Sequence, residues 1–121
     1  MQRCSQMTPS QYHAVSDTAM DRLLDSLETM VDSSNNPQYE VEYHSGVLTL
    51  NLGDKGTYVV NKQPPNQQIW LSSPLSGPKR YDYDVSHKVW FYSRDHQQLQ
   101  ELLEEELGTL LDTSVSIDLE D

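Results

Sequence analysis

Residues 56–82 read GTYVVNKQPPNQQIWLSSPLSGPKRYD, and this stretch decides the fold. Two runs with strand character, 57–61 and 68–72, are separated by a loop carrying Pro64, Pro65 and Asn66. A second break at Ser76, Gly77 and Pro78 leads into a third run. β-Branched and aromatic runs bounded by Pro, Gly and Asn are the pattern of adjacent antiparallel strands joined by turns.

Alternation along the second run isolates Trp70. Strand side chains point to opposite faces in turn, so if Ile69 and Leu71 enter a core, then Gln68, Trp70 and Ser72 point the other way. Asn61, Lys62, Gln63, Asn66 and Arg80 lie near it and offer amide, ammonium and guanidinium groups around a large amphipathic ring. Trp and Arg together on a polar face are the composition of a protein-binding hot spot. The alternative is a ring packed under a loop or a second layer.

Working outward, a chain of 121 residues suits one domain spanning 1–121, with 1–7 and 113–121 as flexible or extended tails. Its one cysteine, Cys4, has no partner for an internal bridge and lies outside every expected element. No apolar run approaches the length of a membrane span. The opening MQRCSQM is too short to read as a targeting peptide, so a mature or trimmed form is expected. Eight basic against 19 acidic residues give a net charge of −11, a field that repels nucleic acid and anionic membranes and attracts cations and basic protein surfaces.

Thr8, Pro9 and Gln11 form a helix start with a capping box. Tyr12, Val15, Ala19, Leu23, Leu27 and Met30 then recur at helical spacing, predicting a helix over about 9–32. Asp17, Asp21, Asp25, Glu28 and Asp32 recur as regularly on nearly the opposite side, within an arc of roughly 80° at 100° per residue. Like charges four apart repel, whereas interleaved Glu and Lys would give solubility and stabilise the helix. The ridge, with no Lys among its residues, is therefore a candidate cation or partner surface, against the alternative of a solvated face.

Ser33 to Pro37 reads as a loop. Tyr39, Val41 and Tyr43 alternate with Glu40, Glu42 and His44 as a half-exposed strand, expected to add two carboxylates to the ridge. Ser45 and Gly46 form a hairpin turn into residues 47–52. Beyond the central meander, a turn near 84–87 precedes a last strand over 88–92. Asp95 and Gln98 mark the start of a second helix whose stripe is Leu99, Leu102, Leu103, Leu107, Leu110 and Leu111. Val115, Ile117 and Leu119 alternate in a tail expected to lie against the helices. The order helix, six strands, helix predicts an α+β two-layer sandwich: an antiparallel sheet of about six strands covered on one face by the N- and C-terminal helices.

Carboxylates suit hard or borderline cations such as ferrous iron. Asp17, Asp21, Asp25, Glu28, Glu40 and Glu42 are expected on exposed positions without supporting groups, which makes any iron weakly held and exchangeable. His13, one turn before Asp17, is a candidate nitrogen ligand or a plain surface residue. Nucleophile-elbow, P-loop and dinucleotide motifs are absent, so no catalytic residue is assigned.

NKQPPN followed by QIWLSSPLSGPKRYD resembles the signature of the frataxin family, and the likeness extends from Tyr12 to about Leu111. The resemblance implies a sandwich of two terminal helices on an antiparallel sheet and a mitochondrial matrix location. It implies Fe2+ binding along Asp17, Asp21, Asp25, Glu28, Glu40 and Glu42. It further implies docking on a cysteine desulfurase, its accessory subunits and the iron–sulfur scaffold protein, through Asn61, Lys62, Gln63, Gln68, Trp70 and Arg80. The implied role is to accelerate persulfide transfer to the scaffold, as a monomer with iron-dependent oligomers; a ferroxidase, iron-storage or iron-chaperone activity acting through the acidic ridge is the alternative. Gln67 departs from a lysine found in many relatives, and His13 and Ala14 stand where some relatives carry acids.

Overall fold

The computed structural model describes residues 7–119. Cys4, most of the predicted N-terminal tail and residues 120–121 lie outside them. The chain forms α1 (Pro9–Ser34), six strands β1 (Tyr39–His44), β2 (Val47–Leu52), β3 (Thr57–Gln63), β4 (Gln68–Ser73), β5 (Gly77–Asp84) and β6 (Val89–Tyr92), then α2 (Leu99–Leu111). The strands pair antiparallel in sequence order as one sheet, as the meander predicted.

The capping box of α1 is present: Gln11 N donates to Thr8 Oγ1 at 3.1 Å and Thr8 N donates to Gln11 Oε1 at 2.9 Å. The helix runs two residues past the expected end and stops at Asn35, whose φ of 54° leaves the helical region. Helix α2 starts later than Asp95 suggested. His96 has φ 62°, which no helix interior accepts, and the capping box is formed by Gln98 and Glu101. Asp95 instead accepts from Gln97 N at 2.9 Å in the preceding loop. Gly77 and Pro78, expected in a break, are already paired with Ser73 and Ser72, whereas Lys88, expected in β6, sits in the turn with φ 58°.

β2, β3 and β4 bury alternate residues against the helices, β5 and β6 add one buried residue each, and β1 half-buries Tyr39, Val41 and Tyr43. Leu48, Leu50, Leu52, Tyr58, Val60, Ile69, Leu71, Tyr81 and Trp90 meet Tyr12, Ala19, Met20, Leu23 and Leu27 of α1 and Leu99, Leu102, Leu103 and Leu107 of α2 in one core. Ile117 of the tail joins it: its N–H donates to Glu104 Oε2 at 2.8 Å on α2, while Asp118 N reaches Ser26 Oγ at 3.4 Å on α1. The tail thus lies across both helices. Gly56 is forced by space, because a Cβ there would stand 2.5 Å from Pro74 Cβ.

Polar ties align the layers. The Tyr12 hydroxyl, on a residue 1% exposed, accepts from Gln63 N at 3.0 Å and donates to the Gln68 carbonyl at 2.8 Å. It braces the loop end of the β3–β4 hairpin, where Gln63 and Gln68 are the last register partners before the Pro64–Asn66 turn. On α2, Glu106 Oε1 accepts from Tyr58 Oη at 2.8 Å and from Ser73 Oγ at 2.6 Å.

Tyr12→Phe should retain the ring's packing and strand two backbone groups, lowering unfolding free energy by about 1–3 kcal/mol; urea unfolding checks it, and an unchanged midpoint refutes the tie. A second prediction concerns alkali. Burial is the leading cause that raises the phenols of Tyr12, Tyr43, Tyr58 and Tyr81 above their ordinary value of 10.0. For Tyr58, hydrogen bonding to Glu106 adds to the rise. Above pH 10 the unfolded chain gives up these protons while the native state keeps them, so the unfolded state binds fewer protons and stability falls. Urea midpoints should hold steady below that pH and decline above it, with a shallower decline in Tyr58→Phe.

Candidate functional site

The sheet's second face is covered by no element of the described residues. Register pairing runs a row straight across it: His44 opposite Val47, Val47 opposite Asn61, Asn61 opposite Trp70, and Trp70 opposite Arg80. Trp70 is therefore on the polar face, as the alternation implied, and it is half-buried rather than fully bathed in water. The Arg80 guanidinium lies 4.6 Å from the ring centroid, a cation–π stack. The indole Nε1 donates to Gln68 Oε1 at 2.9 Å, and Gln68 Nε2 donates to Asp82 Oδ1 at 3.0 Å. Ring, guanidinium and amide thus hold one another in place on the open face.

The predicted binding set divides. Asn61, Gln63, Gln68, Trp70 and Arg80 share the open face, and Asn66 sits exposed in the adjoining 3-10 turn Pro64–Asn66. Lys62 does not join them. β3 extends two residues past the expected end, and alternation with Val60 carries the Lys62 side chain to the helix side, opposite Ile69. There Nζ donates to Asp17 Oδ1 at 2.6 Å and contacts His13 Nδ1 at 2.9 Å. Asp82 was missed, although Arg80 and Asp82 share one parity in the KRYD run. His44 and Val47 were missed as members of the row, although the Ser45–Gly46 hairpin pairs them.

The carboxylates also divide. Asp17, Asp21, Asp25, Glu28 and Asp32 are exposed along one side of α1. Their field reaches β1: after burial, the charges of Asp17 and Asp21 are what raise the Tyr43 phenol. Glu40 and Glu42, expected beside them, point to the other side of the sheet. Tyr39, Val41 and Tyr43 take the helix-facing positions, and Glu42 stands opposite Thr49 in the open-face lattice. The expected single wall of seven carboxylates is thus two groups, five on α1 and two on the opposite face of the edge strand β1. Lys62 binds the first acid of the helix ridge, and Arg22, also on α1, pairs with Asp118 of the tail at 3.9 Å. Among the described residues no three His, Cys, Asp or Glu converge as a metal cage. The donor set fits a loosely held hard cation, not a buried cofactor.

Gln67, at φ 52°, uses its side chain within the chain: Nε2 donates to the Met7 carbonyl at 2.7 Å. No helix among the described residues is long and apolar enough to cross a membrane.

The frataxin-like domain family matches residues 5–113. The mitochondrial frataxin homologue of Schizosaccharomyces pombe is 47% identical over 102 residues, covering 84% of this chain and 65% of that protein. The mitochondrial frataxin of Dictyostelium discoideum is 48% identical over 99 residues, covering 82% of this chain and 51% of its own length. The chain thus spans about half to two thirds of these relatives. A trimeric frataxin from the yeast Saccharomyces cerevisiae, solved in complex with ferrous iron, superposes with a TM-score of 0.73 at 42% identity, covering 82% of this chain and 87% of that one. Its agreement extends to the α+β sandwich described above.

Proposed function

We infer the function of this chain from its family, for it belongs to the frataxins, and from the one face that its own layers leave open. The proposed role is that of a mitochondrial, iron-binding activator of iron–sulfur cluster assembly. The preset row Asn61–Trp70–Arg80 docks on the complex of cysteine desulfurase, accessory subunits and scaffold protein, and docking accelerates persulfide transfer to the scaffold. The observation that carries this reading is a tryptophan fixed by Gln68 and Arg80 on an uncovered sheet face. A ring so placed contributes little to this chain's core and much to a partner's pocket. Because the chain carries no recognisable catalytic motif, it acts on chemistry performed by others. The acidic ridge supplies the charge that meets a basic patch on the desulfurase, and it binds Fe2+ weakly.

Trp70→Ala and Asn61→Ala should each fold with near-parental stability and lose most stimulation of sulfide production by a reconstituted desulfurase and scaffold. Parental stimulation by both variants would end this reading.

The trimeric relative solved with ferrous iron favours a second reading, in which oligomers hold and oxidise iron through the ridge. Oxygen uptake on adding ferrous iron should then exceed the protein-free rate and drop in Asp21→Asn and Asp25→Asn. A parent rate equal to background would remove it.

A further inference from the structure

Lys62 joins the end of β3 to the first turns of α1. Its ammonium sits between two donors one helical turn apart, 2.9 Å from His13 Nδ1 and 2.6 Å from Asp17 Oδ1. An ammonium only donates, so in this contact Nδ1 is the acceptor. The position is well defined. The Lys62 side chain is 11% exposed against 56% for Asp17, and its ammonium also lies 5.7 Å from the Tyr12 ring centroid. The backbone below is held too, with Lys62 N donating to the Gly46 carbonyl at 2.9 Å. An imidazole and a carboxylate at i and i+4, both turned on one point, are the nitrogen and oxygen ligands a borderline divalent metal takes. Here a cation from the chain itself holds that point.

We propose that Lys62 is a tethered counter-ion which competes with divalent metal for His13 and Asp17, so that this end of the ridge takes up metal only when the ammonium is expelled. The proposal rests on the reading of the ridge as a metal surface and adds its order of loading. A metal bonded to His13 Nδ1 and Asp17 Oδ1 and an ammonium hydrogen-bonded to the same lone pairs exclude each other, and their charges repel. Asp21, Asp25 and Glu28 lie one to three turns further along α1, beyond the two donors that Lys62 engages. They therefore load first, and His13 with Asp17 last. Exclusion is reciprocal: whatever holds Lys62 against α1 weakens metal at this end, and metal there weakens the Lys62 contact. Since Asn61 and Gln63 flank Lys62 on the opposite face, the contact also ties the end of the docking row to the metal surface.

The test is titration with Co2+ alone, an air-stable probe for ferrous iron, followed residue by residue through NMR signals of His13 and of residues 21–28. In the parent, half-saturation at residues 21–28 should precede that at His13. In Lys62→Met it should fall at His13 by roughly two- to fivefold, the scale of one partly screened charge pair, and stay put at residues 21–28. Lys62→Gln serves the same arm if the methionine variant folds poorly, and Lys62→Arg should keep the parental value. Lys55→Met removes the same charge from the exposed turn Gly53–Lys55 and should shift nothing locally. Equal half-saturation at His13 in parent, Met and Gln variants, or the same shift in Lys55→Met, overturns the competition while leaving the ridge as a metal surface. No cobalt on α1 in any variant overturns both.

Discussion

A single buried hydroxyl holds α1 in register with the sheet. Tyr12 enters the core with the rest of the α1 stripe, but its oxygen must find partners there, because an unpaired buried polar group costs about 1–3 kcal/mol. It finds them in Gln63 N and the Gln68 carbonyl, the two backbone groups at the end of the β3–β4 pair. That contact fixes where α1 lies along the sheet. It also continues β3 to Gln63, and the parity of those last residues sends Lys62 to the helices and Asn61 with Gln63 to the open face. Tyr58 and Ser73 anchor α2 through Glu106 in the same manner.

With two helices on one side, the sheet meets two different environments. One face is an apolar lattice sealed by Leu, Ile and Tyr; the other carries polar groups and one preset indole. The acidic side of α1 works against helix stability through repulsion at spacing of four, and Lys62 offsets it at Asp17. On a chain of net charge −11, that side of α1 presents a field that attracts cations. The open-face row and the acidic side of α1 therefore occupy separate surfaces, which approach each other where Lys62 of β3 meets Asp17 of α1.

Much of this was legible in the chain because it depends on local periodicity. Period two in Tyr39 to His44 and Gln68 to Ser72, and period 3.6 in Tyr12 to Met30, specified element type, and the capping box of Thr8 and Gln11 marked the entry to α1. The exposure of Trp70 followed from its alternation with Ile69 and Leu71. Boundaries suffered where side-chain chemistry competed with backbone geometry. Asp95 has the composition of a helix cap, but the left-handed His96 after it postpones the helix to Gln98.

Sequence by itself determined the order of elements, the apolar stripes that build the core, and the residues available for contact. Only the tertiary structure decided which of those residues meet. Alternation assigns two faces within a strand, yet relating one strand's faces to a helix needs the register and the side on which that helix packs. For this reason Glu40 and Glu42, adjacent to the ridge along the chain, turn to the far side of the sheet, and Lys62, adjacent to Asn61, turns to Asp17. Contacts such as Lys62 with Asp17 and Tyr12 with Gln68, 45 and 56 residues apart, arise from packing that no local pattern encodes.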